Sequence, residues 1–246
     1  MLHRWAANLG CCALVVLLAA CGGSGAIPDT GDGGGGDSDG DGGDGGDSGG
    51  GGGSPPSPFF APTEQQALYF RDDMPGELTV VKDTYNDGSQ TPFADLPMGG
   101  AVAYSGFMEV LFTSTPNANI TGAATLTVDM QTGITSGSAT EFMGYVYNSE
   151  TDTTELALYD GGVTFLGATL TAASSGNANI DIEIDGAFDN GVQQFTINGN
   201  IDGPVYGTDA SGIFASGSYF GIGQDIALTA DGVPVYGTAT LWAVGE

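Results

Sequence analysis

Residues 178–185 read ANIDIEID, and this octapeptide decides the fold class. Ile180, Ile182 and Ile184 fall on one side of an extended chain, and Asp181, Glu183 and Asp185 on the other, because successive strand side chains point to opposite faces. Working outward, Ala124, Leu126, Val128 and Met130 alternate in the same way with Thr125, Thr127 and Asp129. Phe195, Ile197, Gly199 and Ile201 alternate with Thr196, Asn198, Asn200 and Asp202. Further strands are expected over about 101–113, 134–147, 154–172 with a break at Asp160-Gly161-Gly162, 212–221 and 235–243. Turn signals separate them: NDG at 86–88, Thr132-Gly133, DNG at 189–191 and Asp231-Gly232.

About eight strands joined by short turns predict an all-β protein: an eight-stranded antiparallel β-barrel of the up-and-down type, preceded by a disordered Gly/Asp-rich tether. Closure into a barrel removes exposed strand edges. Glycines inside strands, at 106, 137, 167, 199 and 217, mark the bends and bulges such a sheet needs. Alternation by itself leaves a β-sandwich open as the second architecture. The one helical signal is Thr63 with Gln66, a capping box that gives TEQQALYF (63–70) a helical turn or two. Everything after about Glu77 reads with a period of two.

The N-terminal quarter is of another kind. Leu9 to Ala20 is an apolar stretch behind His3 and Arg4, too short to span about 30 Å of hydrocarbon, and it reads as a secretory signal. It ends in Leu18-Ala19-Ala20-Cys21, which resembles the bacterial lipobox, in which the cysteine is acylated and becomes the mature N-terminus. Cys11 and Cys12 have too little apolar chain before them for that frame; an ordinary signal peptide cut at A-x-A is the alternative. Cys21 is therefore a lipidation site, and Gly22 after it favours the outer membrane. From Gly22 to Pro58 the chain is almost wholly Gly, Asp, Ser and Pro, with nothing to bury against the entropy of ordering. About 37 such residues span roughly 30–36 Å as a coil, a spacer from the lipid. Asp37, Asp39, Asp41 and Gly42 copy half of an EF-hand loop, but its twelfth position is Ser48 and the flanks are not helical, so counterion binding is the default reading. The expected organisation is a signal peptide at 1–20, a lipidated cysteine and linker at 21–58, a preamble with a short helix or strand at 59–98, and a β-barrel domain at 99–246.

Composition narrows the chemistry. The formal net charge is −27, with Arg4, Arg71 and Lys82 the only basic residues, so nucleic acid is not an expected partner. The only histidine is His3 and the last cysteine is Cys21. A chain cut before Cys21 thus has no Ser-His-Asp or Cys-His pair, no zinc-thiolate cluster and no internal disulfide. No metal and no cofactor is expected.

The phrases LPMGGAVAYSGF (96–107), GAATLTVDMQTGITSGS (122–138), FTINGNIDG (195–203) and ASGIFASGSYFG (210–221), behind a lipobox and a Gly-rich tether, resemble the transferrin-binding-protein-B-like surface lipoproteins, the group that includes the barrel of factor H-binding protein. The resemblance covers about residues 95–246. It implies capture of a protein or of an iron- or haem-related ligand at the cell surface by a monomer. The chain departs from the family pattern in having one barrel after a short preamble, and in its ending, LWAVGE.

A receptor or binding module is thus the leading expectation, not an enzyme. Its ligand-binding candidates are Tyr145, Tyr147, Tyr219 and Phe220, read as loop aromatics of the kind that anchor interfaces, against the alternative that each is ordinary barrel packing. A small membrane-spanning barrel is the second class and would need an outward apolar band. A carboxylate-dependent glycoside hydrolase is the third: Asp181 and Glu183 share a face about 6.7 Å apart by strand rise, close to the separation of an inverting pair. The sole lysine, Lys82, could serve a Ser-Lys pair, although nothing near it in sequence supports that.

Overall fold

In the computed structural model, which describes residues 57–86, 88–97, 99–113, 118–133, 135–220 and 224–245, the alternating runs are strands of one antiparallel barrel. The lipobox, the tether and the EF-hand-like run lie outside the described residues. Six strands follow one another as hairpins: β1 (Ala101–Phe112), β2 (Ala118–Asp129), β3 (Thr135–Asn148), β4 (Thr153–Ala172), β5 (Ala178–Asp189) and β6 (Gln194–Tyr206). The next two, β7 (Gly212–Tyr219) and β8 (Ile226–Ala230), both run antiparallel to β6, one facing Val205 and the other facing Gly199, so they share a single stave. After the Asp231-Gly232 turn, β9 (Val233–Pro234) and β10 (Gly237–Gly245) make the last stave. β10 pairs with β7 on one side and β1 on the other, closing a ring of eight staves in sequence order. A ring has no sheet edge, which rules out the sandwich.

Closure sorts the two faces of every strand. Ile180, Ile182 and Ile184 are buried inside with Phe112, Phe142, Phe165 and Phe195. Each such side chain contributes about 1.5–3 kcal/mol on burial, and an eight-stranded barrel is just wide enough for side chains to fill. Asp181, Glu183 and Asp185 stand outside, opposite Asp202, Asn200 and Asn198 on β6. This is the inverse of the pattern a membrane-spanning barrel needs, an apolar band facing out.

The expected break at Asp160-Gly161-Gly162 is a bulge inside a continuous β4. Between Thr140 and Phe142 of β3, the register advances by one extra residue on β4. Gly161 takes φ +113°, and a Cβ there would stand 2.2 Å from the Ala187 carbonyl oxygen, so only glycine makes this bend. A second bulge inserts Leu166 just before Gly167 and leaves that leucine half exposed.

The helical expectation was too short. The capping box is present: Thr63 Oγ1 accepts from the Gln66 amide at 3.3 Å, and Gln66 Oε1 accepts from the Thr63 amide at 2.9 Å. The helix does not stop there. It runs as α1 (Glu64–Leu68), a wider π-type turn at Tyr69–Asp73 and α2 (Met74–Asn86), which corrects the reading that everything beyond Glu77 alternates. Pro75, which lacks an amide proton, is the second residue after the wider turn. The run of β-branched Thr79, Val80 and Val81 looks like strand, but Leu78, Val81 and Tyr85 recur at helical spacing. They pack with Met74 on the outward side chains Phe107, Phe214, Trp242 and Val244.

The same preamble holds both barrel ends. Phe60 donates its amide to the Asn190 carbonyl (2.8 Å) and accepts from the Leu158 amide (2.9 Å). At the other end Thr91 bridges β5 and β6, donating to Val205 and accepting from Ala178, and Leu96 enters the core.

Candidate functional site

The four aromatic candidates do not form one site. Tyr145 and Tyr147 lie on β3, not in a loop, which corrects that part of the expectation. Both point outward. The Tyr145 ring meets Phe70 of the helix edge-on, with centroids 6.0 Å apart. Tyr147 donates its hydroxyl to Asp152 Oδ1 at 2.5 Å, and this bond to a carboxylate raises its pKa. Tyr219 and Phe220 stand across the ring, because β2, β1 and β10 intervene between β3 and β7. Tyr219 ends β7 and packs partly against the core; Phe220 turns outward and is 55% exposed.

The register between β7 and β10 builds a site around Phe220. Phe214 is opposite Trp242, Ser216 opposite Thr240, Ser218 opposite Thr238, and Tyr219 opposite Gly237. With a period of two, Phe214, Ser216 and Ser218 share the outer face of β7, and Trp242, Thr240 and Thr238 that of β10; Phe220 and Tyr236 stand just beyond the ends of these strands. Phe220 and Tyr236 stack at 6.5 Å with 25° between their planes, and Tyr236 also lies 5.7 Å from Tyr219. A groove of about 260 Å³ is lined by the four hydroxyl side chains, Gly217, Asp225 and the Phe214–Trp242 pair (4.5 Å); Phe220 and Tyr236 lie further along the same two chains, past Ser218 and Thr238. Asp225 folds over its edge, accepting from the Ser218 amide at 3.3 Å.

The inner end of the groove is fixed by the helix. Trp242 donates Nε1 to Glu109 Oε2 (3.0 Å), Lys82 Nζ pairs with the same oxygen (2.7 Å), and the ammonium stands 5.1 Å from the indole centroid. Lys82 is thereby an ion-pair partner of Glu109 and a cap on Trp242. Beside it the Tyr85 hydroxyl reaches the backbone of β7 and β10 together. It accepts from the amides of Ile213 (3.1 Å) and Ala243 (3.0 Å) and shares its proton between the carbonyls of the same two residues. Burial pushes the Tyr85 phenol well above its usual pKa. Tyr69, on the helix and hydrogen-bonded to Glu77 at 2.6 Å, is pushed up to about 12, by burial first and by that carboxylate second.

The carboxylates proposed as a hydrolytic pair stand on β5, separated from β7 by β6 alone. Asp181 and Glu183 border an open groove of about 360 Å³ with Thr169 and Asn200, and Asp181 accepts from Asn200 Nδ2 at 2.6 Å. Among the described residues no group of three or more His, Cys, Asp or Glu is placed to hold a metal ion. Sequence reading missed Tyr236 and the Phe214–Trp242 pair. Their signal was present in the alternation of 212–220 and 236–244, but the strand partner that brings the two runs together is not visible in either run alone.

Neither protein-family models nor curated proteins yield a match to this sequence.

Proposed function

We propose that the chain is an outer-membrane lipoprotein whose barrel is held off the lipid by the Gly/Asp-rich segment and captures a ligand on its outer wall between β7 and β10. The observation that carries this reading is the stacked, half-exposed pair Phe220 and Tyr236 next to the outward Ser and Thr side chains of β7 and β10. Exposed aromatics beside polar groups are the usual anchors of recognition surfaces. The barrel interior is occupied by its own side chains, so a ligand is gripped from outside, as a carrier protein would be. Cys21, at the end of LAAC, supplies the membrane attachment. The ligand class follows the resemblance: a protein, or a protein carrying iron or haem.

Capture by intact cells tests it. Cells displaying the chain are offered extracellular proteins and iron- or haem-carrying proteins, and bound ligand is recovered. Phe220→Ala with Tyr236→Ala abolishes recovery, whereas Tyr147→Ala, across the ring, leaves it unchanged; Cys21→Ser releases the chain from the membrane. Capture that survives the double aromatic substitution, or a Cys21 thiol found unacylated in native material, overturns the proposal.

A further inference from the structure

We infer that the β7–β10 groove binds a neutral saccharide chain, borne as a glycan by the captured protein; this rests on the reading of that wall as the capture surface and names the part of the ligand that the groove grips. The outward residues form a ladder with rings at both ends and hydroxyls between: Phe220 and Tyr236, Ser218 and Thr238, Ser216 and Thr240, then Phe214 and Trp242. The six residue steps from Phe214 to Phe220 extend about 20 Å, long enough for several linked sugar rings to lie in line. An aromatic face carries partial negative charge and attracts the polarised C–H face of a sugar ring. Hydroxyls donate and accept, matching the hydroxyl rim of the same ring, and the Asp225 carboxylate adds an acceptor at the groove edge. A partly apolar cleft with a few convergent polar groups suits a ligand that is both apolar on its faces and polar at its rim.

Charge excludes the acidic glycans. Residues 57–246 carry 23 Asp and Glu against Arg71 and Lys82 alone. Both cations are already spent, Arg71 on Asp72 and Lys82 on Glu109. An anionic chain would meet a repelling field and no free counter-charge. A neutral chain incurs no such repulsion.

Trp242 makes the test direct. In the full chain carrying Trp5→Phe it is the only tryptophan, and it sits at the inner end of the groove. Its fluorescence is followed during titration with cellotetraose, maltotetraose and N-acetylated chitotetraose, and with tetragalacturonate as the acidic counterpart. At least one neutral tetrasaccharide gives a saturable change, and tetragalacturonate gives none. Tyr236→Ala weakens the neutral titration at least tenfold and Thr238→Val several-fold, with the β-type circular dichroism unchanged. A response equal for acidic and neutral chains overturns the inference, as does one indifferent to Tyr236→Ala. If no neutral tetrasaccharide responds while the Phe220→Ala, Tyr236→Ala chain still loses protein capture, the saccharide assignment falls and the capture wall stands. If neither saccharide nor protein binds, both fall.

Discussion

Two halves of the outer wall use the same strand alternation and end up chemically opposite. On β5 and β6 most outward positions are Asp, Glu, Asn and Thr, and they face water. On β1, β10 and β7 they include Phe107, Trp242, Val244 and Phe214, and α2 lies over them. An outward apolar residue is stable there only because a helix from the preamble removes it from water. The difference teaches that a closed barrel has two kinds of hydrophobic face: the inner one, which every strand shares, and an outer one, which exists where another element covers it. The β7–β10 groove lies where the covered half runs out from under the helix.

The sharpest way to break the comparison is to exchange inside for outside on the half that faces water. Ile182→Asp puts a charge into the core with nothing to pair with. The cost of several kcal/mol is comparable to the whole stability of a domain, about 5–15 kcal/mol, so cooperative unfolding is lost in urea titrations. The adjacent Glu183→Gln, on the open wall, changes stability by no more than about 0.5 kcal/mol. Equal effects at the two positions would refute the assignment of faces.

Alkaline pH acts on the other half. Tyr69 and Tyr85 on the helix, and Tyr104 in the core, have pKa values raised by burial, Tyr69 to about 12. Since each folded value exceeds the unfolded value of about 10, the protonated phenol is favoured in the native state. The stability this contributes is complete below about pH 10 and is lost as pH rises through the folded values. Urea midpoints measured upward from about pH 10 therefore fall, and the phenolate absorbance appears later in the folded chain than in the unfolded one.

Tyr85→Phe sharpens the point at a single atom. Removing the hydroxyl that serves Ile213 and Ala243 costs about 1–3 kcal/mol, read as a lower urea midpoint with the β-type circular dichroism retained. The smallest effect is at Lys82→Met. It loses a partly exposed ion pair and a contact over Trp242, about 1 kcal/mol or less, and the difference from the parent chain shrinks as salt is added.

Much of the barrel was legible beforehand because the period of two is local. ANIDIEID needs no partner to show which side is apolar, and the Asp231-Gly232 and DNG turns mark their reversals within a few residues. The helix beyond Leu68 was hidden because Thr79-Val80-Val81 has the composition of a strand, and only the wall beneath explains why Leu78, Val81 and Tyr85 keep helical spacing. Phe220, just past the end of β7, was visible as an aromatic beside Tyr219. Its actual companion, Tyr236, is sixteen residues away and adjacent only through the β7–β10 pairing.

The sequence by itself determined the faces of the strands, the turns between them, the acidic character of the chain and the absence of histidine and cysteine beyond Cys21, because each is a property of neighbouring residues or of composition. Only the tertiary structure decided that the sheet closes, that α2 covers one half of it, and that Phe220 meets Tyr236. Those outcomes depend on contacts between residues distant in the chain, and a periodic pattern specifies the face a side chain takes but not the element that will come to lie against it.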